Sequence, residues 1–175
     1  MPDIFELQPV LSGQLLELRP LLQSDHDRLY LAAADPLIWA QHPAADRWQR
    51  PQFDAYFEDR IASGGALIAI EKGTGAVAGA SEFHRLDAQE SEMEIGATFL
   101  ARRFWGGANN GEMKRLMIEH AFRFVDNVVF AVSERNHRSK AAMAKIGARP
   151  ARTFQKNGTP YVMFKITKNE WVGGQ

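Results

Sequence analysis

Between Glu92 and Val132 the chain passes through an alternating segment, a glycine-rich turn, an amphipathic stretch and a short β-branched run, an order that constrains the fold more than any other feature. Glu92-Met93-Glu94-Ile95-Gly96-Ala97-Thr98-Phe99 alternates with period two. This predicts a strand with Met93, Ile95, Ala97 and Phe99 on one face and Glu92, Glu94 and Thr98 on the other. Met113, Leu116, Met117, His120, Ala121 and Phe124 keep the i, i+3, i+4, i+7 stripe of a helix running to about Phe124. Val128 to Val132 is too short and too β-branched for a helix and reads as a buried strand. A strand, a helix and a second strand joined this way form a crossover, which returns the second strand parallel to the first.

The flanking segments read as antiparallel. Leu15 to Pro20 is a strand stopped by proline, and Ser24-Asp25 offers an N-cap for a helix to about Ala34, closed by Asp35-Pro36. Pro51 suits a first helical turn, and Phe53, Tyr56, Phe57 and Ile61 continue a second helix to Gly64-Gly65. Ala66 to Glu71 and Ala76 to Leu86 form a hairpin around Lys72 to Gly75. Asn136 caps a helix ending at Gly147, and a hairpin turning at Asn157-Gly158 closes the chain. The fold class is therefore α/β in the α+β sense: a mixed, mostly antiparallel sheet of about seven strands with helices on both faces.

Composition narrows the function. A chain of 175 residues suits one domain spanning 1–175, without repeats or a linker. Lys+Arg 21 balances Asp+Glu 21, so the diffuse basic field of nucleic-acid or anionic-membrane binders is missing, and any anionic ligand is held locally. With no cysteine there is no disulfide, thiolate ligand or thiol nucleophile. His26, His42, His84, His120 and His137 lack metal-site spacing, so no metal is expected. No apolar run approaches the roughly 18 residues of a membrane span, and the N-terminus lacks a signal-peptide pattern, which reads as a cytoplasmic protein.

The segment Arg103-Phe104-Trp105-Gly106-Gly107-Ala108-Asn109-Asn110-Gly111 joins the alternating strand to the amphipathic helix. Glycines allow close backbone approach, and the free N–H groups of a helix's first turn favour a phosphate or pyrophosphate. A glycine-rich turn without a ligand has the same spacing. Neither a P-loop nor a dinucleotide fingerprint is present.

Arg103-x-x-Gly106-x-Ala108 resembles the pyrophosphate-gripping loop of GNAT N-acetyltransferases. Glu94-Ile95-Gly96, Phe104-Trp105-Gly106, Glu112 to Leu116, His120-Ala121-Phe122, Asn136-x-x-Ser139, Lys145-Ile146-Gly147 and the tail through Glu170-Trp171 are similar, in order, to the RimJ/RimL-like branch. The likeness extends over roughly Leu15 to Trp171. It implies a splay between the fourth and fifth main strands, with acetyl-CoA as co-substrate in the gap. Thr98, Phe99 and Leu100 would meet the pantetheine amides, Arg103 to Gly111 the pyrophosphate, Asn136 the pantetheine and Ser139 the thioester sulfur.

The implied reaction moves acetyl to a primary amine (a protein N-terminus, an amino acid or a small amine) by direct attack in a ternary complex. Glu92 or Glu94 would take the amine's proton, with Glu82 and His84 in reserve. The same residues also fit solvated strand carboxylates, and Asn136 with Ser139 also fits a plain helix cap. Many relatives carry a tyrosine acid where this chain has Met143, which leaves Ser139 to donate to the departing thiolate. That departure keeps a non-catalytic acyl-CoA sensor or interaction module on the same fold as the alternative. Relatives that form dimers imply a homodimer here. Trp39, His42, Trp48, Phe53, Tyr56 and Phe57 read either as core or as an acceptor pocket.

Overall fold

A computed structural model describes residues 4–173 of the chain. Eight strands form one sheet in the order β1-β2-β3-β4-β5-β6-β8-β7, with β1 Leu11–Ser12, β2 Leu16–Pro20, β3 Ala66–Glu71, β4 Val77–Asp87, β5 Glu92–Leu100, β6 Asn127–Ser133, β7 Arg149–Lys156 and β8 Thr159–Thr167. Every neighbouring pair is antiparallel except β5 with β6, which run parallel, as the crossover requires. The two-residue β1 adds an eighth strand to the seven expected.

Five helices cover the sheet: α1 His26–Ala33, α2 Pro36–Trp39, α3 Arg50–Ser63, α4 Asn109–Ala121 and α5 His137–Lys145. α1, α2 and α3 bury Leu29, Ile38, Trp39, Phe53 and Phe57 against Ile68, Ala80 and Phe99 on one face. α4 and α5 bury Met113, Met117, Ile118 and Met143 against Met93, Ile95, Phe130 and Phe164 on the other. His120, expected in the apolar stripe, is buried and bonds the Glu6 carbonyl at 2.8 Å, so it anchors the N-terminal segment beside Phe5.

Three local expectations are corrected. Asp25 does not cap α1; its carboxylate takes the Leu22 N–H at 2.9 Å and pairs with Arg19 at 2.7 Å. Asp35-Pro36, read as a stop, also starts α2: Asp35 accepts the Leu37 N–H at 3.0 Å and Pro36 takes the first helical position. The alternation of β5 is broken by a bulge, because Ala97 and Thr98 together face Ser81 and Ala97 adopts φ 48°. Met93 and Ile95 therefore point towards α4, whereas Ala97 and Phe99 point towards α1 to α3. Thr98 turns to the α4 side, where its hydroxyl meets Ser81 Oγ at 2.7 Å.

Candidate active site

β5 and β6 pair through three positions only, Glu92 with Asn127, Met93 with Val128 and Glu94 with Val129. Beyond Glu94 the two strands part. β6 stays bound to β8 along Asn127–Ser133, while the bulged end of β5 stays with β4, so a wedge opens through the sheet. The resulting cleft has a volume of about 640 Å³. One wall is Ile95 to Leu100 of β5, whose edge facing β6 has no strand beside it, and the other is Phe130 to Ser133 with Asn136 and Ser139.

The cleft ends at the loop before α4. Trp105 fixes the loop by donating its indole N–H to the Leu100 carbonyl at 2.9 Å, and Gly106 follows with φ 71°. A side chain added at Gly106 would meet no atom within 4 Å, so this glycine serves the backbone conformation and leaves open space in front of it. No side chain caps α4, which leaves the N–H groups of its first turn free beside Gly106, Gly107, Ala108, Asn110 and Gly111. Arg115, paired with Glu119 at 3.0 Å, and Lys145 also line the cleft. Three residues expected in this loop do not face the cleft. Phe104 is buried in the core. Arg103 stacks over the Phe104 ring at 4.7 Å and lines a separate groove with Arg28 and Asp35. Asn109 is absent from the cleft wall.

Lys114, which its spacing in the sequence does not single out, also lines the cleft. It is buried, donates from Nζ to Thr98 Oγ1 at 2.9 Å and lies 4.9 Å from the centre of the Phe130 ring. Burial alone pushes its ammonium down to about 7.

Asn136 is buried and caps α5, its Oδ1 accepting the Ser139 N–H at 3.1 Å, so the helix-cap reading holds while both residues also line the cleft. Met143 is buried in the same wall and offers no proton.

The carboxylates separate clearly. Glu92 is buried away from the cleft, paired with Arg152 at 2.7 Å and Lys165 at 3.1 Å. Burial works to raise its carboxyl, but those two cations hold it below the usual carboxylate range. Glu94 is itself absent from the cleft wall; its Oε1 lies 4.0 Å from where a Cβ on the wall residue Gly96 would sit, and it pairs with Arg85 at 3.7 Å. Glu82, opposite Gly96 on β4, is fully buried; Arg60 at 2.8 Å and His84 at 3.4 Å outweigh its burial and hold its carboxyl down. The bond to Glu82 raises His84.

Of the early aromatic group, Trp39 and His42 line the second mouth of the cleft with Tyr161 and Arg138. Phe53, Tyr56 and Phe57 are core, and Trp48 is exposed. Among the described residues no group of three or more His, Asp or Glu is placed to hold a metal, and no helix is long and apolar enough to cross a membrane.

A strand-edge wedge leading to an uncapped helix N-terminus suits an extended ligand that ends in an anion, and comparison with known proteins gives the family. The acetyltransferase (GNAT) domain model matches residues 16–149, so the chain belongs to the GNAT family of N-acetyltransferases. Its structure is similar to a GCN5-related N-acetyltransferase from Brucella melitensis, at 20% identity over 97% of this chain and 83% of that one, with a TM-score of 0.86. The Mycobacterium smegmatis RimJ, solved with CoA-disulfide, matches at 16% identity over 89% and 83%, TM-score 0.67. The Microcin C7 self immunity acetyltransferase MccE, solved with acetyl-CoA and AMP, matches at 16% identity over 89% and 93%, TM-score 0.71. No curated protein matches the sequence.

Proposed function

We propose that this chain, as one domain spanning 1–175 and working in the cytoplasm, transfers acetyl from acetyl-CoA directly to a primary amine in a ternary complex. The observation that carries the reading is the continuity of the cleft. An unpaired stretch of β5 leads straight to a glycine loop and an uncapped helix N-terminus, which together suit an amide-bearing arm with a pyrophosphate at its end. The two similar acetyltransferases solved with acetyl-CoA and with CoA-disulfide support the same assignment.

In this reading Thr98, Phe99 and Leu100 present backbone groups to the arm, and Gly106 to Ala108 with Asn110 and Gly111 present N–H groups to the pyrophosphate. Arg115 and Lys145 add charge at that end, a role the sequence reading gave to Arg103. Asn136 keeps its amide N–H₂ for the arm while its oxygen caps α5.

The amine reacts only with its lone pair free, so its proton must leave first. Glu94 is the carboxylate best placed to receive it, directly or through water, because it stands beside Gly96 with only a long contact to Arg85. Glu92, committed to two cations away from the cleft, is assigned a structural role instead. The amine nitrogen then bonds the thioester carbon, the oxyanion is met by a backbone N–H near Phe99, and the carbon–sulfur bond breaks. The Ser139 hydroxyl donates a hydrogen bond to the departing thiolate, which takes up the second proton that the nitrogen releases as the amide forms, and the chain's lack of cysteine agrees with a path that has no acyl-thiol intermediate. A panel of primary amines, read by acetyl-dependent CoA thiol release, tests the reading: release above the hydrolysis background with at least one class supports it, and none with any class refutes it.

A further inference from the structure

Two cations lie near the second mouth of the cleft, Arg138 in its wall and Arg47 against the ring of the wall residue Trp39, and among the described residues neither is in an ion pair. Arg47 lies with its guanidinium carbon 4.5 Å from the centre of the Tyr56 ring and 5.1 Å from that of Trp39. Arg138 lies 4.0 Å from the centre of the Trp105 ring and donates to the Ile38 carbonyl at 2.7 Å. Among the described residues neither Arg47 nor Arg138 has a carboxylate within ion-pair distance; Asp46, next to Arg47 in the chain, acts on it without forming an ion pair, and Glu82 and Glu94 are engaged with Arg60 at 2.8 Å and Arg85 at 3.7 Å. His42, between them on the cleft wall, is kept neutral by burial and by the positive charges of Arg47, Lys156 and Arg138.

The aromatic plates hold these guanidinium groups without neutralising them. Tyr56 is itself fixed by donating its hydroxyl to the carbonyl of Ala97, the bulge residue of the cleft, at 3.3 Å. Arg47 is thus tied through one side chain to the backbone that bounds the reaction site. A primary amine reaches an enzyme as an ammonium, and an uncompensated cationic mouth repels a bare one. The same mouth attracts an amine that brings its own negative charge, and a planar guanidinium fork matches a planar carboxylate in two parallel hydrogen bonds.

Resting on the transfer reading above, we propose that the acceptor is a small primary amine bearing a carboxylate, of the amino-acid class, and that Arg47, with Arg138, is the subsite for that carboxylate. Polyamines and amines without an anionic group are poor acceptors.

The test uses matched pairs, several amino acids and their carboxamides, with a diamine alongside, measured on the wild type, Arg47→Met and Arg47→Lys. Transfer is read as kcat/KM from CoA release, and binding of the same amines to the CoA-loaded protein is read by calorimetry, which needs no turnover. The carboxamide has the more acidic ammonium and hence more free amine, so intrinsic reactivity works against the expected result. That result is at least a tenfold preference for the carboxylate member in both readouts, lost in Arg47→Met through KM and partly kept in Arg47→Lys, with acetyl-CoA affinity unchanged. Equal use of both members, a preference for the diamine, or an equal loss on both members in Arg47→Met overturns the subsite. Absence of release with every amine refutes the transfer reading, and the binding pairs then decide the subsite alone: preferential binding of the carboxylate member sustains it, and equal or absent binding overturns it.

Discussion

Lys114 Nζ donates to Thr98 Oγ1 at 2.9 Å on the stretch of β5 that has no β6 partner, and it lines the cleft. A lysine here has lost its water without gaining a carboxylate, so its ammonium is pushed down to about 7. Below that pH the folded protein carries a buried charge. Between about 7 and the ordinary lysine value the unfolded chain holds one proton more than the folded one, so stability rises with pH across this window.

Replacing Lys114 with Met should therefore raise unfolding stability at pH 6 by about 3–5 kcal/mol at most. The gain should shrink as pH rises through this window and vanish only above the ordinary value of 10.5, where the unfolded chain's lysine is neutral as well. Denaturant unfolding of both proteins from pH 6 to 10 measures the difference, and a gain independent of pH would mean that Lys114 is neutralised some other way.

Glu92 and Glu94 sit two residues apart and should respond oppositely. Glu94→Gln removes the proposed base and should lower kcat about 100-fold while leaving acetyl-CoA affinity and unfolding stability close to wild type. Glu92→Gln leaves Arg152 and Lys165 without their partner and should cost about 1–3 kcal/mol in stability near pH 7. Because the folded carboxyl is held below its ordinary range, its contribution is present above the unfolded value and is lost as pH falls through the folded one. The two unfolding curves should converge in acid. A large kcat loss in Glu92→Gln with unchanged stability would reverse the assignment.

Gly79 pairs with Leu100, just past the bulge. A Cβ there would lie 2.0 Å from the Phe99 carbonyl oxygen, a backbone atom held by the β4–β5 ladder. Gly79→Ala should cost about 1–3 kcal/mol, or several degrees of Tm, and should weaken acetyl-CoA binding by displacing the cleft wall. Unaltered stability would show that the bulge relaxes freely.

Gly106 makes the converse case, with open space around it but φ 71°. Gly106→Glu should cost only about 1–3 kcal/mol in backbone strain while abolishing acetyl-CoA binding, because a carboxylate would stand in the loop assigned to the pyrophosphate. Thermal unfolding with calorimetry on the same sample separates the two effects.

The sequence carried the parallel β5–β6 pair because a helix of the length of α4 cannot join antiparallel neighbours through a tight turn. It carried the tail hairpin through Asn157-Gly158, whose φ values of 50° and 75° only such residues adopt readily. What it hid depends on breaks in periodicity and on distant partners. The faces of Ala97 and Phe99 were misassigned because counting by twos assumes an unbroken ladder, and a one-residue bulge reverses every side chain after it. Lys114 sits between Met113 and Arg115 with nothing in its spacing to mark it. Its burial comes from the sheet and helix packing around the wedge, which no local window contains. Glu92 looked like a solvated carboxylate since Arg152 and Lys165 lie some sixty residues or more along the chain. Arg47 fell in a stretch read only for its aromatic residues.

The central claim is that the loop from Trp105 to Gly111 at the start of α4 holds the pyrophosphate of acetyl-CoA while β5 holds its arm. Calorimetric titration with acetyl-CoA, dephospho-CoA and free pantetheine at moderate salt tests it most directly. The expected result is micromolar or tighter binding of acetyl-CoA, little loss for dephospho-CoA, which keeps the pyrophosphate, and a sharp loss for pantetheine, which lacks it. Equal affinity for all three, or no binding of acetyl-CoA, would contradict the account.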